Sequence, residues 1–453
     1  MGVTEEFCRS LRDIEYAALP AEAVRAARRV MLDGIAVAVA GTREQAPHIL
    51  ADHLRELGGA EQATAINFGF RTSAVNAAYL NGASMHVLDY EPMWDPPNHA
   101  TSTTLPAVLA LGETTGASGA EMLTALVKGI EAQGRLRRAS RQFEPRELTF
   151  HPPGLVGSFS SAVAAAHLLR LDLAQMRNAV GLAASRAGTV GANIGTMTKC
   201  THCGLAAAMG VDAAMLAKRG FTANQDVFEA LHGYAEVFFD SKWDNDALVP
   251  AGAPLRIVKP GFAIKMFPSQ FATHYVIRAA LDVYSRIADK SAIKSVEILG
   301  PEMAYVDRPR PTSGLEGKFS FQYVAAAGLL DGAVTIDTYT DERCMRSDVA
   351  ALLPKVSFVQ SPEIPASLDR MWVEITVELA NGERVKGRCT KLKGAWGEPL
   401  SDDEHLVKVR DCLRRAFDDA TAETCIATVQ QFDTVDSSQV HGLMRTLGNF
   451  GGR

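Results

Sequence analysis

The spacing of apolar residues changes along the chain, and this change limits the possible folds most strongly. Between about residue 20 and about residue 285, apolar residues recur at steps of three and four, which predicts helices. An early example of this spacing is Val24, Ala27, Met31, Ile35 and Ala38. Ser118 followed by Glu121 forms a capping box that starts another helix. The stretches 160–171 and 204–218 are rich in alanine, so we expect buried, closely packed helices there.

The spacing changes to every second residue in the next part of the chain. Met371–Leu379 alternates apolar and polar residues, which predicts a strand, and Asn381-Gly382 predicts a two-residue type I′ turn after it. Helical spacing returns from residue 401 to residue 444. We therefore predict a mostly α protein with a smaller α+β domain at residues 262–395, between helical parts at 1–261 and 396–453. The last part can rejoin the first and make the α+β domain an insertion.

Composition and charge exclude several classes of protein. The chain has 453 residues, of which 47% are apolar, as in an ordinary globular protein. Its formal charge is −6 and its basic residues are scattered, so we expect no nucleic acid partner. The first sixteen residues are strongly charged, unlike a signal peptide, and we expect no membrane span. The seven cysteines are an odd number in a long chain, which favours a reducing cytoplasm over a disulfide framework.

The usual sequence motifs for nucleotides, hydrolytic serines and metals are absent. There is no dinucleotide-binding glycine pattern, no Walker A motif and no G-x-S-x-G elbow, and Gly314–Lys318 only superficially suggests a phosphate loop. No zinc or calcium pattern appears, so we expect no metal. Cys200 and Cys203 could supply two ligands of an iron-sulfur cluster, but they lack a clear third ligand. Two half-buried thiols at a helix start are the simpler interpretation.

Two histidine-containing segments are candidates for acid-base chemistry. The first runs from His86 to Pro106 and holds Asp89 and His99 together with several prolines and hydroxyl residues. Such a loop can bring acid-base groups to a ligand, although a solvated loop with capping threonines is an equally good interpretation. The second holds His151 just before Pro152 and a helix of small residues. A lone histidine beside prolines is more often structural.

Three further segments offer cations and a phenol. Lys199 lies near the start of a predicted helix, where the helix dipole disfavours a cation unless an anion binds between them; the alternative is a lysine that extends to water. Lys265 lies among apolar residues near the predicted domain boundary, where a ligand carboxylate or a structural ion pair would satisfy its charge. Tyr305 could donate or transfer a proton, or be part of an aromatic core.

Taken together and in this order, the segments resemble the MmgE/PrpD family. The resemblance covers nearly the full chain and rests on these stretches: the loop from His86 to His99, Phe150-His151-Pro152-Pro153, Gly195 to Lys199, Lys265 to Pro268, and Ser320 to Val324. It implies a helical domain built from both chain ends, an inserted α+β lid, a homodimer and a cofactor-free site between helical domain and lid. It also implies the residues that line this site: Asp89, His99, His151, Lys199, Lys265 and Tyr305.

The sequence differs from the cis-aconitate decarboxylase-like pattern at three positions of these segments. Met93 replaces a threonine, Gln270 replaces a histidine, and Glu91 replaces an aspartate. We count Met93, His202 and Gln270 as substrate-binding positions. Because an unpaired carboxylate oxygen in a dry site costs roughly a few kcal/mol, changes at Met93 and Gln270 can alter which acid is accepted.

The resemblance implies a lyase that acts without a metal on a small di- or tricarboxylate. We predict first a 2-methylcitrate dehydratase-like hydro-lyase; the alternatives are a cis-aconitate decarboxylase-like carboxy-lyase, an iminodisuccinate-type epimerase, and a carboxylate-binding protein without activity. In our hypothesis Lys199 and Lys265 hold substrate carboxylates. His99 or His151 exchanges the proton at carbon, Asp89 orients one histidine, and Tyr305 donates to a leaving hydroxyl or a carboxylate.

Overall fold

The described residues form a mostly helical fold with one four-stranded mixed sheet and two short two-stranded sheets. The computed structural model describes residues 2–143, 147–239, 242–249 and 254–450. The helices are α1 Val3–Arg12, α2 Ala21–Gly41, α3 Gln45–Leu57, α4 Ala74–His86, α5 Ala100–Thr115, α6 Gly119–Ala139, α7 Pro152–Leu168, α8 Leu173–Ala184, α9 Thr198–Lys218, α10 Tyr234–Phe239, α11 Asn245–Leu248, α12 Thr273–Tyr284, α13 Gly314–Gly317, α14 Phe321–Asp331, α15 Asp341–Cys344, α16 Ser347–Leu352, α17 Asp402–Leu413, α18 Asp419–Gln430 and α19 Ser437–Gly448. The strands are β1 Ala63–Ala65, β2 Phe70–Thr72, β3 Met93–Trp94, β4 Phe262–Ala263, β5 Ile293–Pro301, β6 Val356–Ser361, β7 Val373–Leu379 and β8 Arg384–Cys389.

The two ends of the chain share one helical core. Helices α17 and α18 pack against α2, and α19 packs against α5. Apolar residues of these C-terminal helices, among them Val409 and Leu443, belong to the same core as Ile35 and Leu126. The predicted fold class, a helical part built from both ends with an α+β part between them, is therefore confirmed. The exact domain boundaries stay a prediction.

The alanine-rich helices pack as closely as their composition predicts. A Cβ atom built on Gly204 of α9 would lie 2.3 Å from the carbonyl oxygen of Tyr79 in α4. A Cβ built on Gly82 of α4 would lie 2.8 Å from the Cα of Gly204. These glycines let two backbones approach more closely than any other residue allows. This close contact brings the start of α9, which carries Lys199, near the end of α4.

We expect Gly204→Ala to lower the free energy of unfolding by roughly 1–3 kcal/mol, because the new methyl group forces α4 and α9 apart. Urea unfolding measures the effect. Gly442→Ala is the matched control, since Gly442 is also helical but a Cβ there meets nothing within 4 Å. That control should be neutral or stabilising by about 0.5–1 kcal/mol. Equal stability of Gly204→Ala and the wild type would contradict the close packing.

The α+β part has its own core on a four-stranded sheet. The strand order is β6-β5-β7-β8, with β5 and β6 parallel and the other neighbours antiparallel. Alternate residues of β7 are buried, as its sequence predicts. Helix α12 packs on β7 and β8, and α14 packs on α12 and β6. A short β3–β4 pairing, Met93 with Ala263 and Trp94 with Phe262, ties this part to the loop after α4.

The hairpin between β7 and β8 differs from the predicted two-residue type I′ turn. Leu379 N–H donates to the carbonyl oxygen of Glu383, which leaves three residues in the loop, and of these only Gly382 has a positive φ, +87°. A two-residue turn would place Val385 opposite Glu378, on the exposed face. In the observed register Val385 pairs with the buried Val377 instead. Burial of Val385 therefore decides the register.

Within the part of the chain that the structure describes, one helix, α9, is long and apolar enough to cross a membrane by length and composition, which we did not expect from the sequence. Within the protein, 67% of its apolar window is buried. Buried core helices commonly pass the same test, so this is weak support for a membrane span.

Candidate active site

The starts of three long helices meet at one place. His99 is the residue before α5, His151 is the residue before α7, and Lys199 lies in the first turn of α9. Helix α4 ends close by at His86, whose ring centroid is 4.3 Å from that of His99 and 5.6 Å from that of His151. Close packing of α4, α5, α7 and α9 holds these side chains together although they come from distant parts of the sequence.

Asp89 is the anionic centre of the cluster. Lys199 Nζ donates to its Oδ2 at 3.0 Å, and Lys265 Nζ donates to its Oδ1 and, at 2.7 Å, to its carbonyl oxygen. Burial by itself would raise the pKa of the Asp89 carboxyl, but the two ammonium groups hold that pKa well below its usual range. Asp89 also has a φ of +50°, a backbone conformation that aspartate and asparagine adopt more readily than most residues. The anion expected near Lys199 is therefore a side chain of the protein itself.

Lys199 and Lys265 occupy different positions in this cluster. Lys265 is fully buried and makes three contacts with protein oxygens, the third with the carbonyl of Ser269 at 3.1 Å. Since an ammonium has three N–H groups, none is left for a ligand. Lys199 donates to Asp89 and, at 2.8 Å, to His86 Nε2, so one of its N–H groups has no hydrogen-bond partner among the described residues. We expected both lysines to hold substrate carboxylates, but this geometry suits only Lys199.

Glu91 and His86 complete the cluster, and neither was predicted as a functional residue. His86 Nδ1 hydrogen-bonds Glu91 Oε1, Ser102 Oγ donates to the same oxygen at 3.0 Å, and His99 Nδ1 lies 2.9 Å from it. Because His86 Nε2 accepts from Lys199, its Nδ1 carries the proton. Burial lowers the pKa of His86 to about 3, so the ring is neutral at neutral pH. The only signal in the sequence was an acid five residues after a histidine at a predicted helix end.

His151 and His202 form a second histidine pair. Their Nδ1 atoms are 3.1 Å apart, so one of the two must carry the proton and the other must accept it. Burial, followed by the nearby charge of Lys199, holds the pKa of His151 well below its usual range. His202 lies behind His151 and does not line the cavity described next. The structure therefore places His202 as a partner of His151 rather than as the substrate contact that we predicted.

A cavity of about 510 Å³ opens in front of these groups and lies between the helical part and the α+β part. We call it the main cavity. The helical part contributes His99, His151 and Lys199, and the α+β part contributes Gln270 and Tyr305. Other residues of the wall are Asp89, Met93, Phe150, Ile194, Phe271, Arg308, Phe319 and Leu368. Its size suits a small organic acid.

The side chains from the α+β part are fixed by hydrogen bonds. Gln270 Nε2 donates to the Tyr305 hydroxyl at 2.7 Å, and burial raises the pKa of that phenol, so it stays protonated and can donate to a ligand. Arg308 donates to the carbonyl oxygens of Tyr305 at 2.9 Å and of Ile194 at 3.2 Å. Arg308 was not predicted, and it joins the two parts of the protein at the cavity wall. Met93 presents an apolar side chain to the same space.

Comparison with known proteins identifies the family of this chain. Residues 5–246 match the MmgE/PrpD N-terminal domain, and residues 267–434 match the MmgE/PrpD C-terminal domain. The chain belongs to the MmgE/PrpD family. It is 31% identical over 452 residues to the cis-aconitate decarboxylase of Mus musculus, covering 97% of this chain and 92% of that protein. For the Homo sapiens cis-aconitate decarboxylase the identity is 30%, with 97% and 93% covered. For the Aspergillus terreus enzyme it is 25%, with 92% and 91% covered.

This MmgE/PrpD site contains several groups of potential metal ligands. Within the described residues, three such groups lie close enough to share an ion: His86 with His99 and His151, His86 with Glu91 and Cys203, and Asp89 with Glu91 and His99. Lys199 already donates to His86 and to Asp89, so a cation there would have to displace an ammonium group. None of the three groups contains both Cys200 and Cys203, which gives the iron-sulfur alternative no third ligand among them.

We expect the MmgE/PrpD fold of this chain to lose stability as the pH falls from about 6.5 to about 4. Burial lowers the pKa of His202 and of His167 to about 4 and that of His274 to about 3, below the unfolded value of about 6.5. Protonation therefore favours the unfolded chain, so the stabilisation is complete above pH 6.5 and is lost on acidification. Each such histidine contributes a slope of up to ~1.4 kcal/mol per pH unit in that range.

Urea unfolding at pH 8, 7, 6 and 5 measures this slope. His167→Gln is the matched variant, because His167 lies outside the main cavity and its ring contacts Lys128 at 3.1 Å. The free energy of unfolding of this variant should depend less steeply on pH than that of the wild type, by up to ~1.4 kcal/mol per pH unit. A free energy of unfolding that stays constant from pH 8 to pH 5 would contradict the prediction.

Proposed function

We propose that the protein is a carboxy-lyase that decarboxylates cis-aconitate or a closely similar tricarboxylate. The lyase class itself follows from membership of the MmgE/PrpD family and from relatives of nearly the same length. The single observation that supports the chemistry most is the position of Lys199. This buried lysine uses two of its three N–H groups within the cluster, and it lines the same cavity as His99 and His151.

Decarboxylation fits these findings better than the dehydration that we predicted first from the sequence. The relatives that align over almost the whole chain are named cis-aconitate decarboxylases. Epimerisation and binding without turnover have no specific observation in their favour. The homodimer and the cytoplasmic location stay proposals, and light scattering coupled to size-exclusion chromatography tests the first.

The reaction can be written from the structure of cis-aconitate. The C–C bond between its methylene carbon and the attached carboxylate breaks and releases CO2. The electron pair moves through the double bond to the carbon beside the other terminal carboxylate, and that carbon then takes one proton. A trianion and a proton thus give CO2 and 2-methylidenesuccinate, a dianion. The barrier falls if a cation stabilises the carboxylate that receives the charge and if an acid is near the carbon that is protonated.

The main cavity offers groups for each of these tasks. The free N–H of Lys199 can bind the carboxylate on which charge develops, in a site where Asp89 already fixes the ammonium. Apolar side chains suit the carboxylate that leaves, because an uncharged CO2 is favoured where a carboxylate is poorly solvated. The cavity wall supplies them in Phe150, Ile194, Phe271 and Leu368.

His99 and His151 are the proposed proton donors. Both line the main cavity, and in both burial lowers the pKa of the free ring. A bound trianion opposes that effect and favours the protonated ring, so the substrate itself helps to charge its acid. Tyr305 stays protonated and donates a hydrogen bond from its hydroxyl to a substrate carboxylate. Lys265 acts through Asp89 as a positioning residue, since its three N–H groups are used within the protein.

Incubation of the purified protein with cis-aconitate in deuterated water tests the proposal. We expect release of CO2 and a 2-methylidenesuccinate with one deuterium at its saturated methylene carbon, both followed by NMR. The same assay with 2-methylcitrate should show no loss of water. Dehydration of 2-methylcitrate without decarboxylation of cis-aconitate would overturn the proposal, and so would thermal stabilisation by cis-aconitate with neither reaction.

A further inference from the structure

A second cavity adjoins the main cavity on the far side of Lys199. Its volume is about 290 Å³, and it shares Asp89, Lys199 and Phe319 with the wall of the main cavity. The charged residues that belong to its own wall are Arg43, Glu44, Lys318 and Asp341. The reaction described above gives this space no role.

Lys318 is a buried cation with weak partners. Only 2% of the residue is exposed, yet its ammonium makes one long hydrogen bond, 3.4 Å to the carbonyl oxygen of Val87. The nearest carboxylate is that of Glu44, 3.9 Å away, and its side chain is one-third exposed. A buried ammonium is costly unless it is well paired. Burial lowers the pKa of Lys318; the carboxylates of Glu44 and Asp89 oppose this effect only in part, and the charge of Lys199 adds to it.

A helix start also lines the second cavity. Helix α3 begins at Gln45, and both Gln45 and Ala46 line the cavity. Backbone N–H groups in the first turn of a helix have no partner within that helix, and the helix dipole favours an anion there. Three cations (Arg43, Lys199 and Lys318) and three acids (Glu44, Asp89 and Asp341) line this space. Lys318 is the buried cation among them whose nearest carboxylate is as far as 3.9 Å.

We propose that Lys318 binds a carboxylate in the second cavity, and that this carboxylate is one of the three of the substrate. The inference rests on the proposed function for the identity of the ligand. Of the three carboxylates of cis-aconitate, one leaves into apolar surroundings and one is bound by Lys199. Lys318 binds the third, and it thereby distinguishes tricarboxylates from dicarboxylates. A separate small carboxylate in the second cavity would have the same chemistry, and the stoichiometry of binding distinguishes the two sources.

Equilibrium binding of tricarballylate tests the inference without any turnover. This saturated tricarboxylate lacks the double bond that decarboxylation needs. By isothermal titration we expect one site per chain, about 10- to 100-fold weaker binding to Lys318→Met, and little change for succinate, a dicarboxylate. Two sites in the wild type, one of them lost in Lys318→Met, would show a separate carboxylate and overturn the assignment to the substrate. Unchanged binding in Lys318→Met would overturn the whole inference.

Glu44→Gln is the matched control, because it removes the carboxylate nearest to Lys318 and keeps the ammonium. If Lys318 binds the ligand, Glu44→Gln should bind tricarballylate as tightly as the wild type or more tightly. If Lys318 only forms an ion pair with Glu44, then Lys318→Met and Glu44→Gln should lose affinity and stability equally. That result would contradict the inference. A crystal structure of the wild type with tricarballylate decides the matter even if Lys318→Met fails to fold. A carboxylate within hydrogen-bond distance of Lys318 is expected. A failed decarboxylation assay, in contrast, affects only the proposed function.

Discussion

Replacing Lys199 by methionine is expected to lower kcat/KM for cis-aconitate by roughly 100- to 1,000-fold, the usual effect of removing one fixed donor to developing charge. The chain should stay folded, because Asp89 keeps its bonds to Lys265 and because water can enter beside Asp89 from the main cavity. Steady-state kinetics and a melting curve on the same preparation measure both effects.

Two other lysine variants separate this role from general effects of lost charge. Lys386→Met removes an exposed lysine of β8 that pairs with Glu374, and it should change neither activity nor melting temperature. Lys265→Met should lower the melting temperature more than Lys199→Met, because it leaves buried oxygens of Asp89 and Ser269 without a donor. Near-normal kcat/KM in Lys199→Met would contradict the assignment of that ammonium to the substrate.

Local features of the fold could be predicted, and features that depend on distant contacts could not. The capping box of Ser118 and Glu121 starts α6 as predicted, because its hydrogen bonds join residues three apart. The alternation in β7 likewise shows which residues face the core. The predicted two-residue turn after β7 was wrong, because burial of Val385 on the partner strand outweighs the turn preference of Asn381-Gly382.

The candidate site shows the same limit. Sequence segments and a family resemblance indicated which residue types face the substrate, and the structure brings His99, His151, Lys199 and Tyr305 to one cavity. The sequence and the resemblance could not show how many N–H groups each lysine has available for a ligand. That number depends on contacts such as that of Lys265 with the carbonyl of Ser269. The same reasoning explains why Lys318 was not predicted as a binding residue: its segment, Gly314–Lys318, only superficially suggests a phosphate loop, and its weak pairing depends on distant contacts.

Asp89→Asn is expected to lower the free energy of unfolding by about 3–5 kcal/mol, because it leaves the ammonium groups of Lys199 and Lys265 buried without their shared anion. Asparagine is the suitable replacement, since it tolerates the φ of +50° at this position. The variant should also lose decarboxylation of cis-aconitate, because Lys199 is no longer held in place. Chemical unfolding and the NMR assay measure the two effects.

Asp33→Asn is the matched control for a buried aspartate outside the main cavity. Asp33 accepts from His405 Nε2 at 2.9 Å and from Lys408 Nζ at 3.0 Å, so this variant should also lose stability. It should keep its activity at temperatures where it is folded, because Asp33 does not line the main cavity. Full stability of Asp89→Asn would contradict the view that two charged lysines share one carboxylate.

A double variant tests whether the stability lost in Asp89→Asn comes from a buried cation that has lost its partner. If the loss in Asp89→Asn comes from an unpaired buried cation, then adding Lys265→Met should restore part of the stability, although Lys265→Met alone is destabilising. The two changes should therefore be non-additive by at least ~1 kcal/mol. Adding Lys199→Met to Asp89→Asn should restore less, because Lys199 faces the main cavity, where water already screens its charge. Additive effects of Asp89→Asn and Lys265→Met would mean that the carboxylate does not stabilise the buried ammonium.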